Sequence, residues 1–394
     1  MNFDRDTFLK KLAPTSPFPF LIPVERAEGL YLYAPDGKRY ADLISGIGVS
    51  VIGHRHPRVV QAIRDQVDRH LHVMVYGEYV QSSVNELAEA ITALLPAQLN
   101  CCYFVNSGAE ANEGALKLAK RYTGRTEIVS FRGSYHGSTH GALSVSGNET
   151  KKRAFRPLLP DVRFIRFNHP EDLSQITERT AGVIVETIQG DAGVRIPSVD
   201  YMKALRARCD ATGTILILDE IQSGMGRTGK LFAFQHFGIA PDILTVGKAF
   251  GGGLPLGAFI SDRKLMEVFT HDPMLGHITT FGGNPVSCAA AVATLKVLEE
   301  EQLIGQVERK GQLIESLLHH PSIREIRRKG MLFAVDFDSA ERVSAIVNRC
   351  KDNGVICYWF LSHPYSFRLA PPLTITDDEI RQSCSVIMDA IENT

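Results

Sequence analysis

A chain of 394 residues, 44% hydrophobic and 22% charged, carries enough apolar material for a large buried core and for two domains. Its formal net charge of -1, with basic runs no longer than Lys151-Lys152-Arg153, excludes the electrostatic footprint of a nucleic-acid or anionic-membrane binder. Seven scattered cysteines without a CxxC pair exclude a disulfide scaffold and predict reduced thiols in a cytoplasm, and no apolar window reaches transmembrane length.

From Gly29 to Leu43, alternating Tyr31-Leu32-Tyr33, a Pro-Asp-Gly-Lys turn and the run beginning at Arg39 predict a hairpin ahead of any α/β pattern. His54 and His56 follow in a loop without a third ligand at metal spacing, so turn packing is expected there and no metal site is predicted. Helical spacing over Val59 to His70 and Ser83 to Leu95 leads into a strand over 101–106. The next helix opens at Ser107-Gly108-Ala109-Glu110 and runs to Tyr122. Its start serves either as a cap pairing Ser107 with Glu110 or as an anion site of free N–H groups. A strand over 127–131 ends at Arg132-Gly133-Ser134-Tyr135-His136-Gly137, where the tyrosine ring either packs or covers a flat ligand. Further strands are read at 182–188, 215–218, 243–246 and 256–262, the last completing the α/β unit. A long helix from Pro285 to about Glu301 then leaves the domain. The remaining strands at 331–338 and 366–373, with helices near Val343 to Asn353 and after Thr376, predict an α+β lobe. The expected division is 1–50 and 291–394 in a small lobe built from both chain ends, and 51–290 in a large domain.

Two of these strand ends carry chemistry. The run Ile215 to Leu218 is short, β-branched and uniformly apolar, so it reads as a strand buried on both faces, and it ends in Asp219 and Glu220. The run Ile243 to Val246 delivers Lys248 beside Gly251-Gly252-Gly253. Carboxyl ends of parallel strands open into the crevice where α/β sheets hold ligands. A desolvated lysine there loses its charge readily and attacks carbonyl carbon. Either residue alone is more simply a turn former; the pair in this order is what carries the reading.

Together, Asp219-Glu220-Ile221-Gln222, the Gly247-Lys248 step, Ser107-Gly108-Ala109-Glu110-Ala111-Asn112-Glu113 and Glu186-Thr187-Ile188-Gln189-Gly190-Asp191-Ala192-Gly193 resemble the class III pyridoxal-phosphate-dependent aminotransferases, in particular their ornithine and acetylornithine branch. The resemblance covers nearly the whole chain. It implies an α/β fold of fold type I, with a doubly wound mixed or parallel sheet plus the small lobe, and pyridoxal 5'-phosphate as cofactor. It implies amino transfer between an amino donor and a 2-oxo acid in two half-reactions, on a homodimer with shared active sites. Lys248 would be the imine-forming amine and proton shuttle, and Asp219 the acid on the ring nitrogen. Ser107, Gly108 and Ala109 would cradle the phosphate. Tyr135 and Ile221 would cover the ring, Gln222 would meet the ring hydroxyl, and Glu186 would lie near the cofactor without a settled role. Thr280, in His277-Ile278-Thr279-Thr280-Phe281-Gly282-Gly283, would cross to the neighbouring subunit's phosphate. Arg368 would hold the substrate α-carboxylate, with Asp191 as the gate beside it.

Three departures stand out. Thr187 replaces the family's proline, Asp191 its glutamate, and Ser138 the arginine that follows the aromatic-x-Gly step and holds a distal carboxylate. A charge-assisted contact of that kind is worth roughly 1.5 to 3 kcal/mol. Its loss predicts specificity shifted toward a monocarboxylate acceptor such as pyruvate or toward a diamine or lysine donor, unless Arg132, His136 or His140 substitutes. Cofactor motifs do not fix which bond to the substrate carbon breaks, so a mutase or decarboxylase stays open. A non-catalytic binding protein is disfavoured by the intact Asp219 and Lys248.

Overall fold

The computed structural model describes residues 3–394 and is built around one seven-stranded sheet. From one edge its strands are Cys101–Val105, Gly257–Ser261, Ile243–Val246, Ile215–Asp219, Thr180–Glu186, Glu127–Phe131 and Val162–Ile165. Only Gly257–Ser261 runs against the others. That strand extends the sheet without adding a parallel crossover unit, within the mixed or parallel sheet expected from the resemblance. The three central strands Thr180–Glu186, Ile215–Asp219 and Ile243–Val246 are buried at every position, as strands covered by helices on both faces must be. The fold is α/β of the mixed-sheet kind.

The consequence for function is directional. Six strands point their carboxyl ends to one edge, so Asn106, Arg132, Glu186, Asp219 and Gly247 all meet there. The helix Gly108–Thr123 packs across this edge through small residues. A Cβ on Gly114 would lie 2.3 Å from the Phe259 ring, so glycine is what lets the helix sit so close to the sheet.

Two four-stranded sheets come from the chain ends. The predicted hairpin is present as Tyr31–Tyr33 and Arg39–Asp42, joined by Arg26–Glu28 and by Val355–Ile356 from the far end of the chain. The second contains Glu325–Lys329, Leu332–Asp336, Ser366–Leu369 and Tyr358–Trp359. Short contacts lock the two ends together: Ala370 N–H donates to Leu43 O at 2.6 Å, Leu373 N–H to Val51 O at 2.7 Å, and Ser45 Oγ to Ala370 O at 2.7 Å. Arg227, almost fully buried, donates to the carbonyls of Met331 and Pro371 and so ties the large sheet's loops to the C-terminal region. The closing helix Asp377–Glu392 carries the Thr376–Glu379 capping box read from the sequence.

His54 Nε2 lies 2.9 Å from Asp42 Oδ2 and His56 Nε2 lies 3.2 Å from Glu301, so both imidazoles are used in packing the hairpin loop. Among the described residues no group of three or more metal-capable side chains gathers, and no helix is long and apolar enough to cross a membrane. All seven cysteines are free thiols.

Candidate active site

Asp219 closes its strand with the carboxylate buried at the sheet edge. Three donors fix it. Asn112 Nδ2 donates to Oδ2 at 2.8 Å, His136 Nδ1 to the same oxygen at 2.8 Å, and the Ile221 N–H to Oδ1 at 3.1 Å. Asn112 is itself held, donating to His136 O at 2.7 Å and accepting from Thr245 Oγ1 at 2.8 Å. These bonds leave one lone pair of Oδ1 for a further donor.

On the adjacent strand, Lys248 follows Gly247 with φ of 48°, a left-handed conformation that costs a lysine energy and that the surrounding loops must impose. The residue is half-buried and lines the cavity. Burial holds its pKa below the ordinary lysine value, with Asp219 pulling the other way and Arg368 adding to the depression. A Cβ on Gly48 would stand 3.9 Å from both Lys248 Cδ and Gln222 Cγ, so the loop after the hairpin forms part of the site's floor.

Gly108, Ala109, Tyr135, Glu186, Ile221, Gln222, Asp191 and Ser138 join Asp219 and Lys248 around one cavity of about 480 Å³. Gly108 is required there, because a Cβ would come within 2.6 Å of Ile221 Cδ1. The residues present fit a flat, phosphate-bearing pyridine. An anion and an amine stand on neighbouring strand ends, Tyr135 and Ile221 supply apolar walls, and the first turn of the Gly108–Thr123 helix presents N–H groups without intrahelical partners.

Three of the residues singled out from the sequence lie outside this lining. The Ser107 hydroxyl accepts from Glu110 N–H at 3.2 Å and so caps the helix. The expected reciprocal bond is displaced by one residue, since Glu110 Oε2 accepts from the Asn106 N–H at 2.7 Å. Thr280 is exposed on the loop before Pro285. Arg368 is buried on the strand Ser366–Leu369, donating to Trp359 O at 3.1 Å, with its Nε unpartnered among the described residues. Asp191 Oδ1 is 4.0 Å from Arg368, while its carboxylate takes closer bonds from Ser362 Oγ at 2.7 Å and Leu361 N–H at 3.1 Å.

Sequence reasoning missed Asn112 as a ligand of Asp219. A lone asparagine among the small residues of a buried helix was the available signal. It also offered His136 as a substitute for the absent arginine. The structure corrects this, because the imidazole is buried against Asp219, and His140 is spent on Pro157 O at 3.0 Å. Thr187 uses its hydroxyl to reach Glu220 Oε1 at 2.9 Å, and that carboxylate also accepts from the N–H groups of Ala233 and Phe234. Proline would offer no such donor.

The fold and this site define a pyridoxal-phosphate-dependent transferase of fold type I. The family model for "Aminotransferase class-III" matches residues 13–391. The acetylornithine aminotransferase of Methanopyrus kandleri is 39% identical over 377 residues, spanning 94% of this chain and 95% of that protein. The [LysW]-aminoadipate semialdehyde/glutamate semialdehyde transaminase of Sulfolobus acidocaldarius is 35% identical over the same shares. A solved ornithine aminotransferase of Toxoplasma gondii, with pyridoxal phosphate at its active site, superposes with a TM-score of 0.91 at 29% identity, covering 100% of this chain and 94% of that one. The chain belongs to the class III aminotransferases and is a transaminase of the ornithine-like type.

Glu186 gives this site a measurable signature. Its carboxylate accepts from the N–H groups of Tyr135 and Gly190, each at 2.9 Å, yet burial pushes its pKa from 4.5 up to about 7. The folded protein thus holds this proton more tightly than the unfolded chain. That contribution to stability is full below about 4.5 and is lost as pH rises through about 7. Glu186→Gln should lower stability by a constant about 1–3 kcal/mol for the lost acceptor, and should flatten the decline in denaturation midpoint across this window. Parallel wild-type and variant curves would contradict the assignment.

Proposed function

We propose that Lys248 and Asp219 are the catalytic pair of this transaminase, and that the cavity between them accepts an amino donor and then a 2-oxo acid. The carrying observation is that these two side chains close adjacent parallel strands in one buried cavity. When bound, pyridoxal phosphate supplies an electrophilic carbon for amines and a protonated ring that draws electron density from the substrate carbon. Asp219 would face the ring nitrogen and keep it protonated. The desolvated Lys248 amine moves the proton at the substrate's amine-bearing carbon. Ser107, Gly108 and Ala109 would hold the phosphate, Tyr135 and Ile221 would cover the ring, and Gln222 would meet its hydroxyl. Arg368 takes the α-carboxylate and Asp191 gates it. The function is of the acetylornithine and ornithine aminotransferase type, with a cytoplasmic location and with the two chain ends forming the small lobe. Borohydride reduction of the protein loaded with pyridoxal phosphate should leave the pyridoxyl label on the Lys248 peptide. Label on another lysine would refute the pair.

We further propose a homodimer whose sites are shared through Thr280. Support comes from apolar side chains exposed on two segments that touch each other: Leu71, Val80, Met274, Leu275, Ile278 and Phe281. The Tyr76 N–H donates to Thr279 O at 3.2 Å, and the rings of His72 and Phe281 are 5.2 Å apart. Mixing Lys248→Ala with Thr280→Ala subunits should restore activity above either parent, because one site of the heterodimer would then carry neither defect. No gain on mixing would show that each subunit supplies its own Thr280.

A further inference from the structure

A second cavity of about 230 Å³ lies beside the first and shares Tyr135 and Ser138 with it. Those two residues form the threshold, their hydroxyls 3.3 Å apart. A long side chain at 138 would fill it, whereas serine leaves it open. The lining mixes the apolar Leu143 and Phe155 with the polar Ser138, His140, Asn148, Lys151 and Ser362, and it contains no carboxylate.

Lys151 is the charged centre of this space. Its ammonium carries three N–H donors. Among the described residues one hydrogen-bond acceptor lies within its reach, Asp191 Oδ2 at 3.4 Å. That carboxylate already takes shorter bonds from Ser362 Oγ and Leu361 N–H, so Lys151 is weakly claimed. Ser362 in turn accepts from Asn148 Nδ2 at 2.9 Å, which fixes the wall facing the lysine. Asp191 therefore stands between two cations, Lys151 on one side and Arg368 at 4.0 Å on the other. A single carboxylate leaves that pair with surplus positive charge, and of the two cations Lys151 lines the second cavity.

We propose that this side cavity is the subsite for a substrate carboxylate remote from the reacting carbon, and that Lys151 is the specificity-determining residue that binds it. The inference rests on the aminotransferase reading, since it deepens the same site. Arginine is absent at 138, and Lys151 reaches the adjoining space from the other side of Asp191. A remote carboxylate belongs to a dicarboxylic 2-oxo acid or to an ω-amino acid donor. The chemistry at Lys151 is shared by both.

Glutarate and butyrate test the subsite without turnover, because neither has a reacting carbonyl or amine. Calorimetry on the holoenzyme should show glutarate binding more tightly than butyrate. Lys151→Met should erase that preference by about tenfold to a hundredfold, and Lys151→Arg should keep it. Retention of the bound cofactor's visible absorption shows that the variants are intact. Two half-reaction comparisons then identify the source: 2-oxoglutarate against pyruvate for the acceptor, and 5-aminopentanoate against pentylamine for the donor. Selective loss in either comparison supports the subsite and assigns it to that half-reaction. Equal binding of glutarate and butyrate by the wild type would overturn the proposal. So would equal weakening of both ligands in Lys151→Met, the result of a merely structural role through Asp191. Failure of every amine and oxo acid to react would count against the catalytic assignment instead, independently of the binding result.

Discussion

The structure depends on one carboxylate, held by directed donors at a buried strand end. Asp219 sits at the end of a strand buried on both faces, and an unpaired charge there would be prohibitively costly. The chain meets that cost with three directed donors drawn from different elements: Asn112 from the Gly108–Thr123 helix, His136 from the loop after Glu127–Phe131, and the Ile221 amide from the following turn. Each donor also fixes its own element. The asparagine positions the helix whose first turn faces the cavity, and the histidine positions the loop that carries Tyr135 and Ser138. The network is thus at once the electrostatic support of the acid and the brace of the surrounding walls.

Lys248 is the counterpart, placed by strain. A lysine at positive φ after an extended glycine is a conformation chosen by the surroundings, and the Gly48 loop lies beside its stem. Burial then favours the neutral amine, the form in which a lysine is a nucleophile and a base. The chain ends complete the enclosure. The Leu43–Val51 segment is bonded to Ala370 and Leu373, which ties the floor loop to the end of the strand bearing Arg368. Arg368 thus belongs to a small sheet, while Asp219 and Lys248 belong to the large one.

Much of this was legible in the sequence because it rests on local patterns. Uniformly apolar runs announced the three central strands, Gly-Lys and Asp-Glu marked their ends, and Thr376 with Glu379 announced the last helix. What escaped depends on contacts between distant segments. Asn112 is 107 residues from Asp219, and nothing in its neighbourhood distinguishes a ligand from a helix-filling amide. His136 was read as available because its neighbours suggested a loop facing substrate, whereas the fold turns the ring inward. The strand Gly257–Ser261 has the same apolar composition in either direction, so its antiparallel pairing was invisible. Lys151 lay in a basic run that reads as solvated surface until the fold brings it beside Asp191.

The account turns on Asp219 acting as an anion toward a bound ring. The decisive measurement is the rate of the donor half-reaction in Asp219→Asn, followed by the cofactor's absorption in protein that retains pyridoxal phosphate. Asparagine preserves the size and an acceptor oxygen but removes the charge, so the rate should fall by about a hundredfold to a thousandfold with the cofactor still bound. A variant that binds the cofactor and reacts at the wild-type rate would contradict the account.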